Sequence, residues 1–392
     1  MFNFKYMFCN KKIGIENIGF YTTGACFSLL ELSKQINQDE DKFTHGIGQE
    51  KMSIITKQED IITMAYNATM EFLTEEQKQE INLLLFATES SIDNSKSAGN
   101  ELHTLLKLKN NCRCLEVKQA CYGGTGALML AKDFVKSNKN KKALVIASDV
   151  AFYGLNTGGE PTQGCGAIAI LVSNNPKIAY FEDNNIYLTE NKNDFYRPSF
   201  QSKPIYDGHF SIKCYLSMFK NIMKDFKQKN HFDYLITHMP FSKMLDKCCK
   251  NIELDEIKNE NENIKKYNKI IGNTYTASVY VGLLSLLENS ENDLKNKKIV
   301  IFSYGSGAEC ECYTIKISKN YKKYLNKEKH LKMLKNRNNI NYNQYVDLLN
   351  YFENREKQLN LKIEDNDEYY KFSRIKLIEI ENGIKKYKII EN

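Results

Sequence analysis

Cys121 stands where a strand-like run turns into a helical pattern, in EVKQACYGGTGALMLAKDF at residues 116–134. Helix N-termini expose unpaired N–H groups and the positive end of the peptide dipole, so a thiol there is expected to be held as its thiolate. The small residues Gly123, Gly124, Thr125, Gly126 and Ala127 follow at once, leaving room for backbone or a bulky ligand beside the sulfur. Such a cysteine suits a nucleophile that accepts an acyl group. SYGSG, Ser303 to Gly307, is a glycine-punctuated strand end whose backbone N–H groups suit an oxyanion.

Glu89 closes the apolar run INLLLFATES, His238 follows DYLIT, and Asn273 opens NTYTASVYVGLLSLLEN. A carboxylate in Glu89's place can remove a proton from the methyl group of an acylated cysteine and return it to an alkoxide. Taken singly, each has a plainer account. Glu89 reads as a capping or salt-bridging residue, His238 as a satisfied histidine, Asn273 as a helix N-cap, and Tyr153 and Arg197 as packing and salt-bridge residues. The chemical reading rests on their convergence.

The elements that must position them are doubled. INLLLFATES (Ile81 to Ser90) matches FDYLITHMP (Phe232 to Pro240), and KKALVIASD (Lys141 to Asp149) matches KKIVIFSYGSG (Lys297 to Gly307). Between the members of each pair lies a helical pattern. The first runs from Cys121 through Val135 with Leu128, Leu130, Ala131 and Phe134 at helical spacing, and the second runs from Asn273. This is the βαβ pattern of a parallel sheet under helices. Cys121 and Asn273 lie 152 positions apart, Ser148 and Ser303 155, and Glu89 and His238 149. Two copies of one α/β unit would put these residues beyond the carboxyl ends of two equivalent sheets, where open α/β sheets bind ligands. Residues 1–173 form the first half and residues 174–392 the second. Beyond Lys316 the style turns to Lys, Asn, Tyr and Glu, and the chain ends in a hairpin pattern around Asn382-Gly383. IKNENENIKKYNK, Ile257 to Lys269, reads as a charged, solvated segment.

Composition sets the outer bounds. Hydrophobic content of 42% with 11% aromatics over 392 residues is that of a globular chain. A net charge of +7, from 55 basic and 48 acidic residues, is spread through surface loops without a nucleic-acid module, so no nucleic-acid partner is expected. No apolar run approaches the roughly 18 residues of a membrane span, and MFNFKYMFCNKK is too short and interrupted for a secretory signal. A cytoplasmic, reducing setting and free thiols are therefore expected for most of the 11 cysteines. The pairs Cys112/Cys114, Cys248/Cys249 and Cys310/Cys312 lack zinc-knuckle spacing, and no metal is expected.

The blocks GIGQEKM (Gly46 to Met52), FATESSIDNSKSAG (Phe86 to Gly99), EVKQACYGGTGAL, ALVIASDVAFYGLNTGGEPTQGCGA (Ala143 to Ala167), FYRPSF (Phe195 to Phe200), HMPFSKM (His238 to Met244), IGNTYTASVYVGLLSLLEN and FSYGSGAE occur in one order. In these the chain resembles bacterial-type 3-hydroxy-3-methylglutaryl-coenzyme A synthases of the thiolase superfamily, from about Ile13 to at least Leu325. The resemblance implies a thiolase-like five-layered αβαβα fold built from two pseudo-duplicated halves, as a homodimer. It implies an acyltransferase in which Cys121 takes acetyl from acetyl-CoA, Glu89 is the general acid/base, and His238 polarises the acetoacetyl-CoA carbonyl. Asn273 and Ser306 would orient acyl groups, with the Ser306 N–H as an oxyanion donor. Tyr153 and Arg197 would belong to the substrate site, and Lys243 would serve the coenzyme A phosphate. Coenzyme A esters are substrates in that family, and no cofactor is implied. Gln119 and NCRCLEVKQACY resemble instead the β-branching relatives of polyketide assembly lines, which use acyl carrier protein. YGLNTGGEPTQG and FYRP favour the mevalonate-pathway enzymes.

Overall fold

The computed structural model describes residues 12–252, 260–365 and 368–390; the opening segment lies outside them. The first half forms a sheet in the order Gly14–Tyr21, Gly164–Ser173, Lys142–Ala151, Ile81–Ala87, Arg113–Val117, with the last three mutually parallel. The second half repeats the scheme with Tyr234–Thr237 parallel to Lys298–Gly305, which pairs antiparallel with Glu309–Ile317. The short strand Ala179–Phe181 pairs with both Gly14–Tyr21 and Glu309–Ile317, so the two sheets join edge to edge.

Helices supply the other layers. Ile61–Thr69 and Ala98–Leu105 pack on one face of the first sheet. Gly208–Lys229 and Lys243–Ile252 pack against the strands of the second. Gly123–Ser137 lies on the first sheet and Ser278–Asn289 on the second, and these two helices meet through Thr125 and Tyr280, whose hydroxyls are 2.7 Å apart. The result is the αβαβα succession. The strands Ile81–Ala87, Lys142–Ala151 and Lys298–Gly305 are apolar along nearly their whole length because both faces are covered.

The doubling is closer than the sequence spacing gave, and its register differs. The two central helices open at Gly123 and Ser278, 155 positions apart, and each is preceded by a residue with left-handed backbone, Ala120 (φ 43°) and Tyr275 (φ 41°). The counterpart of Cys121 is therefore Thr276 rather than Asn273. Ala87 pairs with Ala147 and Thr237 with Phe302, so His238 answers to Thr88, one residue before Glu89. Neither central helix begins at the residue expected. Elbows at Ala120 and Tyr275 take up the turn first, and helical geometry starts only after them.

The chain beyond Lys335 folds back onto the first half. Asn338–Asn339 pairs with Ala25–Cys26, the Arg355 guanidinium donates to the carbonyls of Lys57 and Glu59 at 2.9 and 2.8 Å, and Leu377 N–H reaches Gln58. The terminal hairpin, Ile375–Glu381 with Ile384–Ile389, turns at Asn382 and Gly383, both at positive φ as a two-residue hairpin turn requires. The described part of the charged segment 257–269 is not a solvated surface. Ile264 and Tyr267 are fully buried, and Lys265 is buried in ion pairs with Asp246 and Glu262. Paired charges are what permit its burial.

Candidate active site

Four chain segments converge at the carboxyl ends of the strands. Cys121 sits on the elbow between Arg113–Val117 and the helix from Gly123. Gly305, ending the strand Lys298–Gly305, lies directly against this elbow: a Cβ there would be 2.5 Å from Gln119 O and 2.6 Å from Tyr122 N. Only glycine admits so close an approach of two backbones. The Cys121 thiol donates to Glu89 Oε1 at 2.8 Å. Burial, then the negative charge of Asp149, pushes the Glu89 carboxyl up to about 8. Burial and the facing Glu89 push the Cys121 thiol well above its ordinary value. The resting sulfur thus keeps its proton, against the thiolate expected from its place before a helix. Desolvation and a carboxylate neighbour outweigh the dipole.

Asp149, which sequence reasoning passed over, organises this corner. Its Oδ1 accepts from Thr88 Oγ1, from the N–H groups of Glu89 and Ser90, and from Ser90 Oγ; its Oδ2 accepts from Thr276 N and Oγ1. One buried carboxylate therefore ties the Glu89 turn of the first half to the Thr276 turn of the second. Its signal was visible: an acidic residue closing a strand that is otherwise apolar, as Glu89 does.

His238 follows the strand Tyr234–Thr237, held by N–H donation to Phe302 O at 2.8 Å and by Tyr215 OH donating to its carbonyl at 2.6 Å. Its Nδ1 is buried without a partner among the described residues, and burial drives the imidazole down to about 3, so it is neutral. Asn273 donates its N–H to Thr162 O at 3.1 Å and accepts from Tyr275 N at 2.9 Å through Oδ1.

A cavity of about 470 Å³ gathers Cys121, Tyr153, His238, Asn273 and Ser306, together with Phe195, Tyr206, Tyr215, Tyr275 and Tyr304. Cys121 packs against Tyr153 and Tyr275. Arg197 lies behind rather than in this cavity, its guanidinium donating to Glu89 O. Lys243 is set apart: it is 3.7 Å from Asp246 and lines a neighbouring cavity of about 640 Å³ with Lys250, Lys265 and Lys269. The cation at the Cys121 cavity is Lys247, one helical turn on, 5.4 Å from the centre of the Phe241 ring. Among the described residues no group of three or more His, Cys, Asp or Glu gathers as a metal ion would need, and ten cysteines are free.

A nucleophilic thiol, a carboxyl group that titrates near neutrality and a neutral imidazole in one apolar cavity can transfer an acyl group and then move a proton on the bound acyl chain. Comparison with known proteins leads to the same chemistry. The family model described as Hydroxymethylglutaryl-coenzyme A synthase N terminal matches residues 9–177, and the corresponding C terminal model matches 185–270 and 255–373. The hydroxymethylglutaryl-CoA synthase of Enterococcus faecalis is 38% identical over 369 residues, covering 91% of this chain and 96% of that protein. The polyketide biosynthesis 3-hydroxy-3-methylglutaryl-ACP synthase PksG of Bacillus subtilis is 30% identical over 335 residues, 77% of this chain and 79% of that protein. A crystal structure of an HMG-CoA synthase complexed with CoA superposes with a TM-score of 0.91 at 35% identity, covering 97% of this chain and all of that one. The fold is thiolase-like α/β, and the chain belongs to the hydroxymethylglutaryl-coenzyme A synthase family.

Proposed function

We propose that this chain condenses acetyl-CoA with acetoacetyl-CoA to give HMG-CoA and free CoA. The observation that carries the reading is the Cys121 thiol donating to the Glu89 carboxyl in a cavity shared with neutral His238. In the first step Cys121 sulfur attacks the thioester carbonyl of acetyl-CoA, the thiol proton passes to Glu89, and Glu89 gives it to the departing CoA thiolate, so that CoA leaves as the thiol and Glu89 is a carboxylate again. The Ser306 N–H and Asn273 face the developing oxyanion. Glu89 then removes a methyl proton from acetyl-Cys121, and the enolate carbon attacks the ketone of acetoacetyl-CoA. A neutral His238 donates a hydrogen bond to that ketone without offering a full charge. Glu89 returns its proton to the alkoxide, and water cleaves the thioester to Cys121, releasing the product. Tyr153 and Arg197 shape the acyl site and the Glu89 turn, while Lys247 and, farther out, Lys243 offer cations to the coenzyme A phosphates.

Radiolabelled acetyl-CoA tests the reading. Label should reside on the peptide containing Cys121 and leave as HMG-CoA when acetoacetyl-CoA is added; an unlabelled Cys121 would sink it. The relationship to PksG sustains a second reading in which acyl carrier protein brings the ketothioester. Faster turnover of acetoacetyl-carrier protein than of acetoacetyl-CoA would establish that version.

The working unit in this reading is a homodimer in the cytoplasm. Arg113–Val117 is a sheet edge that exposes Leu115 (50%), and Leu130 on the following helix is 54% exposed, although its apolar character suggested core. An exposed apolar edge strand is a template for pairing with a second copy. Sedimentation of Leu115→Lys as a monomer, against a dimeric parent, tests this. No helix among the described residues is long and apolar enough to cross a membrane.

A further inference from the structure

The loop that carries Tyr153 is closed by a residue from the Lys/Asn-rich C-terminal region. Gln163, buried at the far end of this loop, accepts the N–H groups of Tyr153 and Gly154 through Oε1 at 2.9 and 3.0 Å. Its Nε2 donates to Tyr345 OH at 3.0 Å. Tyr345 in turn donates to Glu160 Oε1 at 2.8 Å, and Glu160 Oε2 accepts from Asn156 N at 2.6 Å. Tyr345 belongs to the helix Tyr342–Arg355, is fully buried, and is held by its ring, stacked 4.4 Å from Phe27 at 6° between planes.

This chain of bonds has one direction. A carboxylate only accepts, so the phenol O–H donates to Glu160. The phenol oxygen must then accept from Gln163, which fixes the amide with its oxygen toward Tyr153 and Gly154. Two buried backbone N–H groups at the entrance of the loop therefore owe their acceptor to a hydroxyl 185 positions beyond Glu160. The loop itself turns through Gly154 (φ 89°) and Asn156 (φ 57°), residue types that accept left-handed backbone. At its exit Thr162 O accepts the Asn273 N–H, so the same loop also seats the Asn273 turn.

We propose that Tyr345, acting through Gln163 and Glu160, is a positioning residue that sets Tyr153 against Cys121. This rests on the reading of Tyr153 as part of the acyl site. Without the hydroxyl, Gln163 Nε2 loses its acceptor and the amide is held at one end only, so the Tyr153 segment loosens while the aromatic stack on Phe27 survives.

The test is Tyr345→Phe in the full-length protein, with Gln163→Leu and the double variant. The expected result for Tyr345→Phe is a kcat for condensation lowered about tenfold to a hundredfold, the loss that a displaced contact group brings. KM for acetyl-CoA and melting temperature should stay close to the parent. The double variant should lose no more than the worse single, because both break one chain. His330→Ala, at the ion pairs with Glu71 and Glu288 rather than in this chain of bonds, is the structural control, expected to lower melting temperature and leave kcat near the parent. Cys121 alkylation by iodoacetamide is a second readout that needs no turnover, and it should be faster in Tyr345→Phe. Parent-like kcat and alkylation in Tyr345→Phe, a kcat loss that follows melting temperature, or additive losses in the double variant would each overturn the proposal. A parent enzyme that never acetylates Cys121 instead defeats the condensation reading, and the alkylation rates alone then decide the clamp.

Discussion

Cys121 Sγ and Glu89 Oε1 lie 2.8 Å apart, and the thiol is the donor. Burial and Glu89 raise the thiol's affinity for its proton, while burial and Asp149 raise the carboxyl's. The proposed nucleophile and acid/base are thus coupled before any substrate arrives, and in that reading the first proton that moves has its acceptor in place.

Glu89→Gln separates the two halves of the reaction. Condensation should fall by about 10²–10⁴, the usual worth of a positioned general base. Removing the carboxylate also removes one cause of the raised thiol pKa, so iodoacetamide should alkylate Cys121 faster near neutral pH than in the parent. Acetyl transfer should accordingly persist. Equal loss of acetyl transfer and condensation would contradict the role assigned to Glu89.

The pH dependence of condensation should report Glu89. Its carboxyl is raised to about 8, so the basic form that abstracts the methyl proton is gained as pH rises through that region and is lost below it. Asp149→Asn removes the negative charge that ranks next to burial among the causes, so the ascending limb should move to lower pH. A limb near 4.5 in the parent, or one that Asp149→Asn leaves in place, would contradict this.

Gly305→Ala should damage activity more than a single methyl suggests. Its Cβ would press on Gln119 O and Tyr122 N, which are backbone atoms of the nucleophile elbow and cannot rotate away. Displacing Cys121 by a fraction of its contact distance should cost about a hundredfold in kcat. Kinetics of this variant beside Gly208→Ala, where an added Cβ meets nothing within 4 Å, give the comparison.

His330 is a stability element remote from the chemistry. It is fully buried, with Nδ1 2.8 Å from Glu288 and Nε2 2.8 Å from Glu71. Hydrogen bonds and charge from both carboxylates overcome burial and raise it to about 9, while Glu71 is lowered. The raised histidine contributes stability that is complete below its unfolded value near 6.5 and is lost as pH rises through about 9. The lowered Glu71 contributes stability present above its ordinary value and lost as pH falls beneath it. Urea unfolding should therefore show declining stability between about pH 6.5 and 9. His330→Ala, which takes the shared cation from buried Glu71 and Glu288, should cost about 3–5 kcal/mol at neutral pH.

The sequence disclosed the strands and the doubling because the inner strands are covered on both faces and read as unbroken apolar runs. Cys121, Glu89, His238, Asn273, Tyr153 and Ser306 were legible for the same reason, since each stands just beyond such a run or in a glycine-marked turn. Register was not. Spacing alone equated Asn273 with Cys121, whereas backbone dihedrals equate Thr276 with it, and no residue type announces a left-handed alanine or tyrosine. Burial by pairing was equally hidden: Lys265 and Asn261 look solvated until Asp246, on another helix, is brought beside them. Lys243 and Lys247 share one face of one helix, and only where each turn of that helix sits decides which of them lines the Cys121 cavity.

The return of the C-terminal region over the first half has a consequence for how the molecule is made. The first 173 residues contain the nucleophile and its acid/base, yet Arg355, Asn338 and Tyr345 supply partners that their backbone and loops lack. A ribosome that has released only those residues has exposed a site whose Tyr153 loop has no Tyr345 to close it. With Tyr345 as the proposed positioning residue, catalytic competence arrives late in synthesis, after the helix Tyr342–Arg355 has emerged and docked.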